Sequence, residues 1–174
     1  MTIKKILTLP DPILRKKSLL VKEVDKEIKK LMDDMLHTMY AAPGIGLAAV
    51  QIGILKRVVV MDVSKEENKK EPMYFVNPEI TWKSDEKKTY EEGCLSIPNQ
   101  FANVERSEKC KVKYLDYFGS VREIMTEGLL ATCIQHEIDH LNGILFIDYL
   151  SKLKKDIIVK RILKNKRELE RIVV

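Results

Sequence analysis

Residues 135–140 read Gln-His-Glu-Ile-Asp-His, and the H-E-x-x-H within them constrains this chain more than any other segment. On a helix, positions four apart lie one turn apart on the same face, so His136 and His140 can bring both imidazoles to one metal ion. Glu137 is displaced sideways, where it can approach a water in an open coordination position. The segment lies in a helical window from about Leu129 to Leu141, which stops at Asn142-Gly143. Apolar Ala131, Ile134, Ile138 and Leu141 anchor other parts of that helix, which makes it the centre around which a fold is arranged. Two histidines four apart also arise by chance on a surface or in a core. Here they use two of only three histidines in the chain, and the metal reading is preferred.

A catalytic metal usually takes three protein ligands and one open position. The candidates for the third are His37, the carboxylates and Cys94, Cys110 and Cys133. Cys133 is about one turn before His136 and two from His140, too far along the axis to close a tetrahedron, so it is expected to line a pocket beside the metal. His37 falls near the end of the first helix, where an exposed histidine is the ordinary case. Cys110 leads a strand between Lys109 and Lys111 and reads as a small core residue. Cys94 stands in Glu91-Glu92-Gly93-Cys94-Leu95-Ser96-Ile97-Pro98, between a strand-like stretch and a Pro-terminated loop, where Gly93 allows close backbone approach. Cys94 as third ligand and Cys94 as a buried free thiol both remain open from the residues alone.

The remaining pattern is α+β. Ile28, Leu31, Met32, Met35, Leu36 and Met39 recur at helical steps behind Asp25, an N-cap, and Pro43-Gly44 ends that helix. Short β-branched or aromatic runs follow at 57–63, 73–76, 80–82, 111–117 and 121–126, with a polar loop at 65–72 and a turn at 116–120. A last helix begins near Ser151. Strands grouped between helices predict one compact domain over residues 1–174, with short, mostly antiparallel strands around the H-E-x-x-H helix and helices at both ends. At 174 residues a second domain would be cramped. Three cysteines make a poor disulfide framework and fit a reducing compartment. No apolar run approaches the ~20 residues of a membrane span, and Pro10-Asp11-Pro12 interrupts the N-terminal apolar stretch before signal-peptide length. Gly44-Ile45-Gly46-Leu47-Ala48-Ala49-Val50-Gln51 lacks the preceding strand and third glycine of a dinucleotide fingerprint and the G-K-[ST] of a phosphate loop. Its small residues let a backbone run close beside another strand or a peptide.

Taken together and in this order, Gly44–Gln51, Glu92-Gly93-Cys94-Leu95-Ser96 and Gln135–His140 resemble the three signature motifs of peptide deformylase, and the resemblance covers essentially the whole chain. It implies a metallohydrolase that removes the formyl group from N-formylmethionine of nascent bacterial or organellar proteins and releases formate. It implies Cys94, His136 and His140 as ligands of one divalent metal ion, typically Fe(II), with Zn, Ni or Co as substitutes. It implies Glu137 as the group that takes a proton from water and returns it to the leaving amine, with the Gln51 side chain and the Leu95 backbone N–H stabilising the oxyanion. The family binds its peptide as an added strand, here against Ile45, Gly46 and Gly93, and Leu129 and Cys133 are candidates for the methionine pocket. Many members carry a basic residue where this chain has Phe101, which leaves preferences beyond methionine open.

Two other functions are weighed: a generic H-E-x-x-H zinc peptidase cleaving internal bonds, and a non-catalytic, metal-stabilised basic RNA-binding module. Neither needs both Cys94 and Gln51. The net charge of +5 resolves into one place. Nine basic residues and three acidic ones (Asp156, Glu168 and Glu170) lie between Ser151 and Arg171, a local +6, which leaves −1 for the rest. One reading of this basic helix, 151–172, is a solvated face with Leu153, Ile157, Leu163 and Leu169 packed on the body. The other, supported by similar deformylases, is docking on ribosomal RNA. A bacterial cytoplasm is expected, with a mature organellar form as the other setting, and neither membrane nor DNA is expected as a partner.

Overall fold

A computed structural model describes residues 2–64 and 69–172, without the side chains of Leu169, Glu170 and Ile172. The first helix, α1 (Lys26–Ala41), starts where the Asp25 carboxylate accepts the Ile28 N–H at 2.9 Å, and it buries Ile28, Leu31, Met32, Met35 and Met39. Seven strands follow: β1 (Gly46–Ala48), β2 (Val58–Met61), β3 (Met73–Lys83), β4 (Lys87–Cys94), β5 (Ile97–Ser107), β6 (Lys109–Leu115) and β7 (Val121–Glu127). The H-E-x-x-H helix is α2 (Gly128–Leu141), and α3 (Lys152–Ile172) ends the chain after a 3-10 turn at Phe146–Tyr149. The strands form a five-stranded sheet in the order β1-β2-β3-β6-β7 and a separate β4-β5 ladder, with every pairing of these strands antiparallel. The α+β expectation holds.

All four residues of β2, Val58–Met61, are buried, although antiparallel strands commonly alternate. The cause is a helix on each face. Val58 and Val60 join the α1 cluster with Met32 and Met35, while Val59 and Met61 join Phe75, Ile134 and Ile138 under α2. A third cluster lies under the β4-β5 ladder, where Ile97 and Val104 meet Phe146, Ile147, Ile158 and Ile162.

Three expectations are corrected. The runs at 73–76 and 80–82 are one strand, β3, kinked where Asn77 takes φ 52° ahead of Pro78 and the register to β6 shifts. Proline is tolerated there because a bulge needs no ladder donor. The Asn77 side chain secures the kink, accepting from Val21 N–H and donating to Val21 C=O, both at 2.8 Å. The segment after Cys94 is not a Pro-terminated loop. After one turn it becomes β5, eleven residues long and paired with β4 from Lys87↔Ser107 to Cys94↔Ile97. Finally, α3 packs by Ile158 and Ile162, which are 7% and 8% exposed, whereas Leu153 and Ile157 are 71% and 41% exposed. Ile158 and Ile162 face the cluster of Ile97, Val104 and Phe146, and on the same side of the helix Lys155 donates to the Asp148 carboxylate at 2.5 Å. Two expectations, the start of the loop at 65–68 and the packing of Leu169, fall outside the described residues.

After α2 the chain turns at Gly143, which has φ 74°. A side chain there would bring its Cβ to 2.4 Å from the Arg15 carbonyl oxygen, so both backbone conformation and space require glycine.

Candidate active site

Helix α2 is covered along nearly its whole length, by the five-stranded sheet on one side and the β4-β5 ladder on the other, and residues 131–138 are all buried. The ladder positions the rest of the site. On β4, Tyr90, Glu92 and Cys94 alternate onto one face, and Cys94 is the last residue of the strand. Cys94 Sγ thereby lies 3.2 Å from His140 Nε2, which is itself 3.2 Å from His136 Nε2. The ligand atoms of these three residues all lie within 4.8 Å of one another. His37, by contrast, is exposed on α1, and Cys110 is buried with its sulfur 3.0 Å from Thr126 Oγ1.

This donor set fits a divalent cation. His136 Nδ1 is 2.9 Å from Glu92 Oε2, which turns the Nε2 lone pair towards Cys94 and His140. Burial opposes ionisation of Glu92, but hydrogen bonds from His136 and Arg106 outweigh it and keep the carboxylate charged. Burial, and then the neighbouring His136, push His140 well below the ordinary histidine range, leaving a neutral imidazole. Burial likewise works against a charge on His136, yet Cys94 and Glu92 draw positive charge to it. A cation among the three ligands answers the same demand.

Glu137 stands beside them, and both its carboxylate and the space next to it are tightly defined. Burial pushes its carboxyl up to about 7. Its Oε2 has no hydrogen-bond partner among the described residues. A Cβ on Gly46 would fall 2.4 Å from Glu137 Oε1 and 3.0 Å from Cys133 Sγ, so only glycine lets β1 pass this close. Gln51 is buried at 2% exposure. Its Oε1 accepts the Ala48 N–H at 2.9 Å, and its Nε2 donates to Ser96 Oγ at 3.0 Å and towards Cys94 Sγ at 3.6 Å.

A cleft of about 570 Å³ opens over this group. Ile45, Gly46, Gln51, Gly93, Cys94 and Leu95 line it from the β1 and β4 sides, and Leu129, Cys133, His136 and Glu137 line it from α2. Every residue that the family resemblance assigned to the site except His140 therefore borders one cavity, and His140 lies against Cys94. Phe101, the register partner of Gly93, lays its ring over that glycine and is 66% exposed at the cleft wall.

Sequence reasoning missed the layer behind the ligands. Arg106 Nε and Nη2 bind both oxygens of Glu92, at 2.5 and 3.0 Å, and Nη1 donates to Asp139 Oδ2 at 2.8 Å. The available signal for Glu92 was its place two residues before Cys94 on the same strand face. Nothing in the sequence marked Arg106, one charged residue among many in a polar segment.

The comparisons with known proteins agree with the geometry. Residues 3–156 match the family model described as polypeptide deformylase. The chain is 60% identical to the peptide deformylase of Pelagibacter ubique across the full length of both, and 56% identical to that of Rhizobium meliloti over 164 residues, 94% of each. The crystal structure of peptide deformylase from Ehrlichia chaffeensis superposes with a TM-score of 0.92 at 43% identity, covering 96% of this chain and 98% of that one. Motif order, the Cys-His-His cluster and full-length similarity converge, and this chain belongs to the polypeptide deformylase family.

Proposed function

We propose that this chain hydrolyses the N-formyl group from formylmethionine at the head of nascent proteins, releasing formate and a free amine. The observation that carries the reading is the convergence of Cys94 Sγ, His136 Nε2 and His140 Nε2 beside buried Glu137 at the floor of a cleft. These three residues would hold one divalent metal ion, Fe(II) by the family resemblance with Zn, Ni or Co as substitutes, all metals that imidazole and thiolate donors accept. Bound there, a divalent cation supplies Lewis acidity and makes water a nucleophile near neutral pH. Glu137, with a carboxyl near neutrality, takes the proton of the attacking water and delivers it to the leaving amine. Gln51 Nε2 and the Leu95 N–H donate to the oxygen that becomes negative. The peptide lies as an added strand along Ile45, Gly46 and Gly93, main-chain pairing that tolerates any nascent sequence. The methionine side chain enters beside Leu129 and Cys133. The setting is the bacterial cytoplasm, and the basic α3 carries the enzyme to ribosomal RNA.

Formyl-Met-Ala-Ser tests the reading. Anaerobically prepared protein loaded with Fe(II), Ni(II) or Co(II) is expected to release formate from it and to leave acetyl-Met-Ala-Ser intact. Glu137→Ala is expected to keep its metal and lose about 10²–10⁴ in turnover. No formate above background with any of the three metals would overturn the reading.

A further inference from the structure

Behind the three ligands, a chain of contacts runs from the buried site to the protein surface. Glu92 Oε2 is shared between His136 Nδ1 and Arg106 Nη2, and Arg106 Nη1 reaches Asp139 Oδ2. The same Asp139 oxygen accepts the Tyr149 hydroxyl at 2.8 Å. The Arg106 guanidinium lies 4.8 Å from the centre of the Tyr149 ring, a cation-π distance. Glu92 and Arg106 are each 5% exposed, and Tyr149, half-exposed, stands between them and water. Burial, followed by Asp139, pushes the Tyr149 phenol up to about 12, so it remains a neutral donor. Tyr149 ends the same 3-10 turn whose Phe146 ring stacks on His136 at 6.2 Å. That turn therefore supports the histidine twice, directly through Phe146 and at one remove through Tyr149.

We propose that Tyr149 is a positioning residue of the metal centre: its ring covers Arg106 and its hydroxyl orients Asp139, so that a dry Arg106–Glu92 pair holds His136 with Nε2 facing Cys94 and His140. The proposal rests on the metal reading above. Exposing the guanidinium to water would weaken its hold on Glu92 and let the imidazole turn. Partners of metal-ligating histidines typically contribute 10–100-fold in metal affinity. Tyr149 does not line the substrate cleft, so its removal should leave KM alone.

The test uses Co(II)-loaded full-length protein, with metal release to a chelator followed at one common temperature well below every variant's Tm. Global unfolding is negligible there, so the rate reads the metal site itself. Tyr149→Ala is expected to release Co(II) about 10–100-fold faster than the parent, with KM within twofold. Tyr149→Phe, which keeps the ring and loses the hydroxyl, is expected to recover most of the slow release. Release from Tyr149→Ala at the parent rate would overturn the proposal, and so would a Tyr149→Phe protein as leaky as Tyr149→Ala. If Tyr149→Ala does not fold, Tyr149→Leu takes its place under the same criteria. The parent's Co(II)–thiolate absorption separates the two readings: if it is missing, the ligand assignment fails, whereas its presence with unchanged release fails Tyr149 alone.

Discussion

Gly46 is where backbone and chemistry come closest. Its missing Cβ is the space into which Glu137 Oε1 fits. Gly46→Ala is expected to push that carboxylate about 1 Å aside, and a displacement of that size costs on the order of 100-fold in turnover. Metal content should be unchanged, because Gly46 touches no ligand. Formate release assayed beside metal analysis decides the matter, and a variant retaining kcat within twofold would show that Glu137 has room to adjust. The glycine was visible in the sequence as part of a G-x-G, but its reason was not, since only the fold brings residue 46 to residue 137. Arg106 is the opposite case. Its type and neighbours carry no mark of burial, and its role exists only because the fold sets its guanidinium between Glu92 of β4 and Asp139 of α2.

At the scale of elements, the 3-10 turn at Phe146–Tyr149 joins the metal helix to α3, and Asp148 is its fastener. The Asp148 carboxylate binds Arg15, the Leu145 N–H at 2.9 Å and Lys155 at 2.5 Å. Burial opposes its ionisation, but Arg15, Leu145 and Lys155 outweigh that and bring it down from 3.8 to about 2. A carboxyl depressed in the folded state stabilises fully above its unfolded pKa, and that stability is lost as pH falls through the folded value. Asp148→Asn is therefore expected to cost on the order of 1–2 kcal/mol at pH 7, discounted for partial exposure, and progressively less from about pH 5 to pH 2. Denaturant unfolding across that range measures it, and a gap independent of pH would remove Asp148 from the account. Helices α1 and α2 were legible because caps and 3.6-residue periodicity are local. Strand β5 was not: Pro98, Asn99 and Gln100 look like a loop, and the ladder is held by its register with β4 rather than by its own composition. The buried face of α3 was likewise not legible, since its scattered aliphatic residues allow several stripes and only the cluster under the β4-β5 ladder selects Ile158 and Ile162.

For the whole molecule, the charge is divided between a nearly neutral body and a helix of +6. Lys160, Lys164 and Arg167 are all exposed on that helix. Replacing the three with Glu is expected to lower ribosome co-sedimentation at low salt at least tenfold, and the parent's binding should itself fade as salt rises. Formate release from the free tripeptide should stay within twofold, because the cleft lies on other elements. Unchanged co-sedimentation would leave α3 as a packing helix only. The sequence by itself determined the chemistry and the fold class: helical spacing sets His136 and His140 on one face, capping and periodicity delimit the helices, and three motifs in order mark the family. Only the tertiary structure decided how Cys94, which the family resemblance singles out, comes to meet those histidines, what holds their rings and which side of α3 is buried. Spacing along one helix is a local property of the chain. Contacts such as Cys94 to His140, Arg106 to Glu92 and Tyr149 to Asp139 depend on strand register and on the close packing of separate elements.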